Sequence, residues 1–431
     1  MKHYIDLGVK NLISLNSSPY VFGKPLRRQN VVQEITRLSS GVVVYCNQIG
    51  GMDDLVFDGN SLVANAGTIQ YCSYDTQGTS IVDLDTKYGF MSCSSTGAYD
   101  YFCRNEYELK ENIVLGLRDY IIKSGFKEVV VASSGGIDSA LVLCLAYEAI
   151  GASNVHAIRM PGQYSSRGSL DDALQLHKNL GCHDYLMPIH NEPFLADAKC
   201  SMLDNTMDGV DIRANRMSEY RTVADENIQA RLRAINLMYF SNAWGFLALT
   251  TGNKSEIATG YCTLGGDCMG GFAPIQDLYK TQVYQVSQLY AEDDTFNKIL
   301  KAIMKKAPSA ELSADQTDEQ SLLPYGILDL IICGYIEHGI STFDGFKTLG
   351  KKEFASVFGF SWETFRKDFI NRPDAEMQFN RIIKMIDINE FKRRQMAPGV
   401  KVSNVAFGTG RRFPIVRRSW SIPAKRLELR D

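Results

Sequence analysis

The sequence predicts an α/β protein, a doubly wound parallel sheet with helices on both faces, and three observations carry that expectation. Val129-Val130-Val131-Ala132 reads as a buried strand that turns abruptly through Ser133-Ser134-Gly135-Gly136 into a helix running from Ile137 through Ala146. Strand-like and helix-like segments alternate around it, as they do in βαβ folds. A second apolar strand, Phe246 to Thr250, runs into the polar loop Thr251-Gly252-Asn253-Lys254-Ser255-Glu256. Sheets of this kind bind ligands where their strands end in such loops.

At 431 residues, 45% apolar and 22% charged, the chain has length for two or three domains and ample core. A net charge of −3 gives no basic field, so nucleic acid is not an expected partner. No apolar run approaches the roughly 20 residues of a membrane span, and the first residues lack the apolar core of a signal peptide. Ten cysteines without a paired framework suit reduced thiols, and a cytoplasmic enzyme is expected. His177, His183 and His190 with Cys182 fit no zinc spacing and read as structural or surface residues.

In chain order, Leu12 to Leu15 reads as a short strand. Lys24 to Leu38 reads as an amphipathic helix with Val31, Val32, Ile35 and Leu38 on its apolar side. Val42 to Tyr45, Leu55 to Phe57 and Ser61 to Ala64 read as strands, and Gly50-Gly51 as the start of a loop. The stretches Asn16-Ser17-Ser18-Pro19-Tyr20 and Asn47 to Ser61 resemble the second half of a nitrilase-type amidase domain. That fold works by a Glu-Lys-Cys triad. The resemblance places all three of those residues upstream of Leu12, so residues 1–91 are expected to form a half-domain without the triad. Cys46, at the end of an apolar strand, reads as a core thiol, and Lys24 belongs to a later Gly-Lys motif. Residues 92–105, rich in Ser, Gly, Cys and Tyr, read as a linker, and 106–431 as the second domain.

Glu106 to Ser124 reads as a helix with Ile113, Leu117, Tyr120 and Ile121 inward. Val155 to Met160 and Asp184 to Ile189 read as further strands, with a capped helix from Ser169 to Leu180 between them. Ser134-Gly135-Gly136-Ile137-Asp138-Ser139 resembles the pyrophosphatase-type loop of enzymes that cleave ATP between its α- and β-phosphates. Glycines there let backbone amides approach phosphate, and the following helix aims its unpaired N–H groups at the same point. Asp138 then calls for a divalent cation between itself and the phosphates, and Glu256, on the second loop, is its expected partner. Glu226 to Tyr239 reads as a helix with an apolar stripe Ile228, Leu232, Ile235, Tyr239, and with Asn227 and Arg231 together on another face. Four glycines in Gly265 to Gly271 suggest a mobile loop. Gly345 to Lys352 imitates a Walker A loop, lacks its Ser/Thr, and reads as a surface turn.

Together with Gly260-Tyr261-Cys262-Thr263, Ala273 to Lys280, Pro308 to Leu312, Glu390 to Gln395 and Phe407 to Ile415, these motifs resemble the synthetase domain of the NAD+ synthetase family, glutamine-dependent and two-domain. The resemblance implies a carbon–nitrogen ligase that amidates nicotinic acid adenine dinucleotide through an acyl-adenylate, releasing AMP and pyrophosphate. It implies that Ser133, Ser134, Gly135, Gly136, Ile137, Asp138, Ser139, Thr251, Lys280 and Ser309 bind ATP, with Asp138 and Lys280 catalytic. Asp138 and Glu256 would hold Mg2+, and Asn227, Arg231, Glu256, Asp267 and Lys392 would meet the dinucleotide. The run Lys392-Arg393-Arg394 with Arg411-Arg412 would find a use in its negative charge. Ammonia would be free or supplied by a separate glutaminase chain, and a homo-oligomer is expected. Two other readings stay open at this point. One is another ligase with this loop or a tRNA-thiolating enzyme, which paired cysteines and a basic face would mark. The other is a non-catalytic, partner-dependent subunit.

Overall fold

The computed structural model describes residues 2–65, 68–73, 81–85, 89–93, 105–190, 214–293, 296–308, 311–313, 322–349 and 362–415. After a short helix α1 (Lys2–Asp6), the N-terminal part carries strand β1 (Leu12–Asn16), helix α2 (Lys24–Ser39) and strand β2 (Val43–Asn47). A hairpin of β3 (Ile49–Met52) and β4 (Leu55–Asp58) follows, then β5 (Ser61–Asn65) and β6 (Thr68–Ser73). One sheet runs β1-β2-β5-β6, parallel between β1 and β2 and antiparallel thereafter. Strand alternation turns Val43, Tyr45, Leu62 and Ala64 into a small core with Val32 of α2.

Several expectations for this part are corrected. Gly50 and Gly51 lie within a strand, paired with Phe57 and Val56 of β4, and the backbone there runs close against α3 (Asn105–Lys123), where Gly51 N–H donates to Asp119 at 2.7 Å. Cys46 is exposed, since its neighbour Tyr45 takes the inward position of the pleat. On α2 only Val32 of the expected apolar side is buried, while Val31 and Leu38 are exposed. The helix instead buries Pro25, Arg28 and Thr36. Arg28 forms a bidentate, buried ion pair with Asp58, at 2.6 and 2.9 Å. A second hairpin, β7 (Val82–Asp85) with β8 (Gly89–Cys93), reaches into the expected linker, whose residues 94–104 lie outside the described residues.

The second sheet is parallel throughout, in the order β11-β10-β9-β12, from β9 (Val129–Ala132), β10 (Val155–Arg159), β11 (His183–Leu186) and β12 (Leu247–Leu249). Val129 and Val131 face α3, α4 (Ile137–Ile150) and their neighbours, while Val130 faces the other side with Ile158, Ala248 and Leu237 of α6 (Ala214–Trp244). Burial on both faces is why β9 and α4 carry uninterrupted apolar runs. Between β10 and β11, α5 (Arg167–Leu180) begins two residues earlier than expected, with Ser166 as its cap. Tyr20 and Val56 belong to the same core as α3 and α4, so the N-terminal part packs directly on the second sheet's helices.

On α6 the expected apolar stripe is not the buried one. Ala230, Ala234 and Leu237 are buried, whereas Ile235 and Tyr239 are more than 60% exposed. Small residues let the helix lie close to the sheet; of the expected stripe Leu232 packs half-buried against that core, while Ile235 and Tyr239 turn outward. Beyond β12 come α7 (Lys254–Thr259), α8 (Lys280–Tyr290) and α9 (Asn297–Met304). A helical cluster around α10 (Tyr325–His338), α11 (Phe343–Leu349) and α12 (Ala375–Ile388) buries its own core. The Walker-like segment is therefore helical over 343–349, with 350–361 outside the described residues. No helix among the described residues is long and apolar enough to cross a membrane.

Candidate active site

The carboxyl ends of β9 and β12 face one another across the start of α4. Gly135 adopts φ +80, and a Cβ there would stand 2.1 Å from the Ser169 carbonyl oxygen, so only glycine fits. Gly136 caps α4 without any side-chain hydrogen bond, leaving the first-turn amides of that helix for another acceptor. Ser134 and Ser139 tie the loop together. Ser134 N–H donates to Ser139 Oγ at 3.3 Å, Gly136 N–H to Ser134 Oγ at 3.2 Å, and Ser139 Oγ to the Gly136 carbonyl at 3.1 Å.

Three charged side chains converge beside this loop. Lys280 Nζ donates to Asp138 Oδ2 at 2.5 Å and stands 3.4 Å from Glu256 Oε1. The lysine is 2% exposed and the two carboxylates each 18%, so the ammonium lies beneath them and they form the accessible surface. Glu256 sits on the first turn of α7, where it completes a capping box with Asn253. Asn253, fully buried, also donates from Nδ2 to Asp138 Oδ1 at 2.9 Å, and so links the ends of β9 and β12. The sequence reading passed over Asn253, although Asn followed three residues later by Glu is the signature of such a cap.

Beneath this group, buried Asp329 on α10 holds the two helix starts in place. It accepts from Ser255 Oγ and from Thr281 N–H and Oγ1, and Ser255 Oγ in turn accepts from Lys280 N–H at 2.9 Å. Burial pushes the Asp329 carboxyl up to about 6, against the pull of these hydrogen bonds. A neighbouring buried lysine, Lys254, is anchored by Asp277 at 3.0 Å and Glu337 at 3.3 Å. Burial works to lower its pKa, but those carboxylates outweigh it and hold the ammonium charged.

The four other residues expected to meet the dinucleotide are brought together, by a route the sequence did not announce. All hold the loop that follows α7. Thr263 Oγ1 donates to Asn227 at 2.7 Å, Arg231 Nε to the Leu264 carbonyl, Thr263 N–H to Asp267, and Lys392 Nζ to the Gly260 and Cys262 carbonyls. Three of the four glycines of this loop, Gly266, Gly270 and Gly271, serve close packing, and Gly265 takes a turn at φ +70. A Cβ on Gly270 would clash with Thr250, and Gly271 N–H bonds the Ala248 carbonyl of β12. The expected use of the basic run is corrected for two members. Arg393 is buried against Glu390 and the Ile257 and Ala258 carbonyls at the end of α7, and Arg411 binds the Tyr335 and Ile336 carbonyls near the end of α10. Both are cations at helix C-termini. Thr251 is half-buried beyond the end of β12, and Ser309 lies outside the described residues. His177 is buried, while His183 and His190 are exposed.

The family model described as NAD synthase matches residues 109–396. The glutamine-dependent NAD(+) synthetase of Thermotoga maritima is 37% identical, covering 95% of this chain and 70% of that relative. Its counterpart from Acinetobacter baylyi is 35% identical over 96% of this chain and 70% of its own. Among solved structures, the glutamine-dependent NAD+ synthetase of Acinetobacter baumannii in complex with ADP superposes with a TM-score of 0.63 at 32% identity, covering 96% of this chain and 69% of that one. The enzyme from Cytophaga hutchinsonii, at 20% identity and a TM-score of 0.70 over 96% of this chain and 70% of that one, shares the fold.

Proposed function

This chain belongs to the NAD synthase family of carbon–nitrogen ligases, and on that premise we propose that it amidates nicotinic acid adenine dinucleotide in two steps at the loop following β9. ATP drives the conversion to NAD+. In the first step a nicotinate carboxylate oxygen attacks the α-phosphorus of ATP, the bond to the β-phosphate oxygen breaks, and pyrophosphate leaves. In the second, ammonia attacks the acyl carbon, AMP departs with the electron pair of the acyl–oxygen bond, and the nitrogen loses a proton to give the amide.

The observation that carries this reading is the convergence of Asp138, Glu256 and Lys280 over the uncapped start of α4. Loop amides and helix N–H groups suit the leaving pyrophosphate, and a buried ammonium suits the charge spread over the phosphates. Asp138 and Glu256 also suit Mg2+ by chemistry, because both are carboxylates 18% exposed beside the loop, hard oxygen donors of the kind that ion takes, with Lys280 beneath them. Among the described residues no cluster of three or more metal-ligating side chains exists, so phosphate oxygens would complete the shell. When bound, the ion would neutralise phosphate charge. The loop held by Asn227, Arg231, Asp267 and Lys392 is the proposed seat of the dinucleotide. Residues 1–91 are proposed as half of a nitrilase-type domain and 106–431 as the synthetase domain. The exposed stripe through Ile235 and Tyr239 favours a homo-oligomer.

We propose that the chain uses free ammonia, or ammonia from a separate glutaminase. The purified protein, given ATP, Mg2+ and the deamido dinucleotide, should make NAD+ with ammonium and none with glutamine alone. Equal rates with both nitrogen sources would refute the ammonia proposal. Absence of product with either would refute the ligase reading.

A further inference from the structure

Behind the loop, Ser133, His177 and Asp184 stand in a hydrogen-bonded row. Asp184 Oδ1 lies 2.6 Å from His177 Nδ1, and His177 Nε2 lies 2.8 Å from Ser133 Oγ. Arg159 fixes the far end, donating from Nε and Nη2 to the two Asp184 oxygens at 2.8 and 2.6 Å. The order imitates a Ser-His-Asp triad, but Ser133 is 5% exposed and His177 1%, too buried for a substrate to reach the hydroxyl.

The direction of the proton settles what the row does. A carboxylate at Nδ1 can only accept, so Nδ1 carries the imidazole proton. Burial lowers the His177 pKa despite that carboxylate, which keeps the ring neutral. Nε2 is then an acceptor, and Ser133 Oγ–H must be its donor. The Ser133 hydroxyl proton is therefore committed inward.

We propose that His177 is a positioning residue for the phosphate loop, acting through Ser133, whose hydroxyl is a latch and makes no phosphate contact. This amends the place given to Ser133 among the ATP-binding residues. The latch lies at the point where β9 passes into Ser134, and α5, which carries His177, also meets the loop through the Ser169 carbonyl against Gly135. Two contacts from one helix thus set the path of the loop amides. The inference rests on the reading that this loop holds ATP phosphates.

Calorimetry with ATP and Mg2+ on Ser133→Ala, His177→Ala and the double variant tests it, together with KM for each substrate. Wild type should bind ATP, and Asp138→Ala should not. Failure of that control sinks the underlying reading. With the control intact, His177→Ala should weaken ATP about fivefold, the scale of one hydrogen bond, and leave KM for the dinucleotide unchanged. The double variant should match His177→Ala alone. Unchanged ATP affinity in a destabilised His177→Ala protein, or additive losses in the double variant, would overturn the inference. Asp184→Asn guards against misfolding of His177→Ala. Its amide should donate to Nδ1 and move the ring proton to Nε2, a change read by nitrogen NMR. Freeing the Ser133 proton in this way should not improve ATP binding, and tighter binding would overturn the latch.

Discussion

Lys280 Nζ lies 2.5 Å from Asp138 Oδ2, joining the start of α8 to the first turn of α4. A lysine buried under carboxylates makes the charge balance of the site depend on three side chains at once. Asp138→Asn should lower kcat/KM for ATP by about 10²-fold. It should also lower the melting temperature, because of the two carboxylates paired with the buried Lys280 ammonium among the described residues only Glu256, at 3.4 Å, remains. Lys280→Met should cost as much activity and more stability, because it leaves two carboxylates facing each other. Chelation of divalent metal should abolish NAD+ formation and added Mg2+ restore it. Full activity in a chelator would remove Mg2+ from the proposal.

Gly135→Ala should separate loop geometry from folding. The new methyl would press on the Ser169 carbonyl in a backbone conformation strained for alanine. A strain of about 1–3 kcal/mol should appear as roughly tenfold or greater weakening of ATP in calorimetry. Wild-type affinity would show that the loop amides do not hold phosphate.

The buried Asp329 predicts a pH signature. Its folded pKa, about 6, exceeds the ordinary carboxyl value of 3.8. Between those values the folded protein keeps a proton that the unfolded chain gives up, so the Asp329 contribution to stability falls as pH rises and is flat above about 6. Urea melts of wild type against Asp329→Asn should show wild type losing relative stability from pH 4 to 6. The same variant should slow turnover about tenfold, because an amide keeps one acceptor oxygen where the carboxylate has two, so either Ser255 or Thr281 loses its partner and a helix start shifts. A relative gain with rising pH would contradict the assignment.

Arg28→Met should destabilise the N-terminal part by about 3–5 kcal/mol, the cost of stranding one member of a buried pair. Among the described residues, Asp58 would keep the Asn60 amide, at 2.6 Å, and the more distant charge of Lys24. Replacing both partners by apolar residues should recover most of the loss in denaturant melts.

Much of the site was legible as short-range pattern. The turn at Gly135-Gly136, the position of Asp138 on the first helical turn and the second strand-to-loop transition before Glu256 all depend on neighbours in sequence. Asn253 was legible too, as a cap, but its bond to Asp138 crosses between strands. The apolar stripe on α6 misled because periodicity names a face without saying whether sheet or solvent receives it. Ala230 and Ala234 permit the closer approach, so their face won. The basic residues near the C-terminus misled likewise, since a guanidinium can cap a helix as readily as it meets an anion.

The sequence by itself determined the phosphate-type turn, the parallel strands and the family, because each is written in contiguous residues whose backbone needs are local. Only the tertiary structure decided that Lys280 lies beneath Asp138 and Glu256, that Asp329 holds both helix starts, and that Ser133 Oγ meets His177 Nε2. These are contacts between residues far apart in the chain, and their geometry exists only once the sheet has brought its strand ends together.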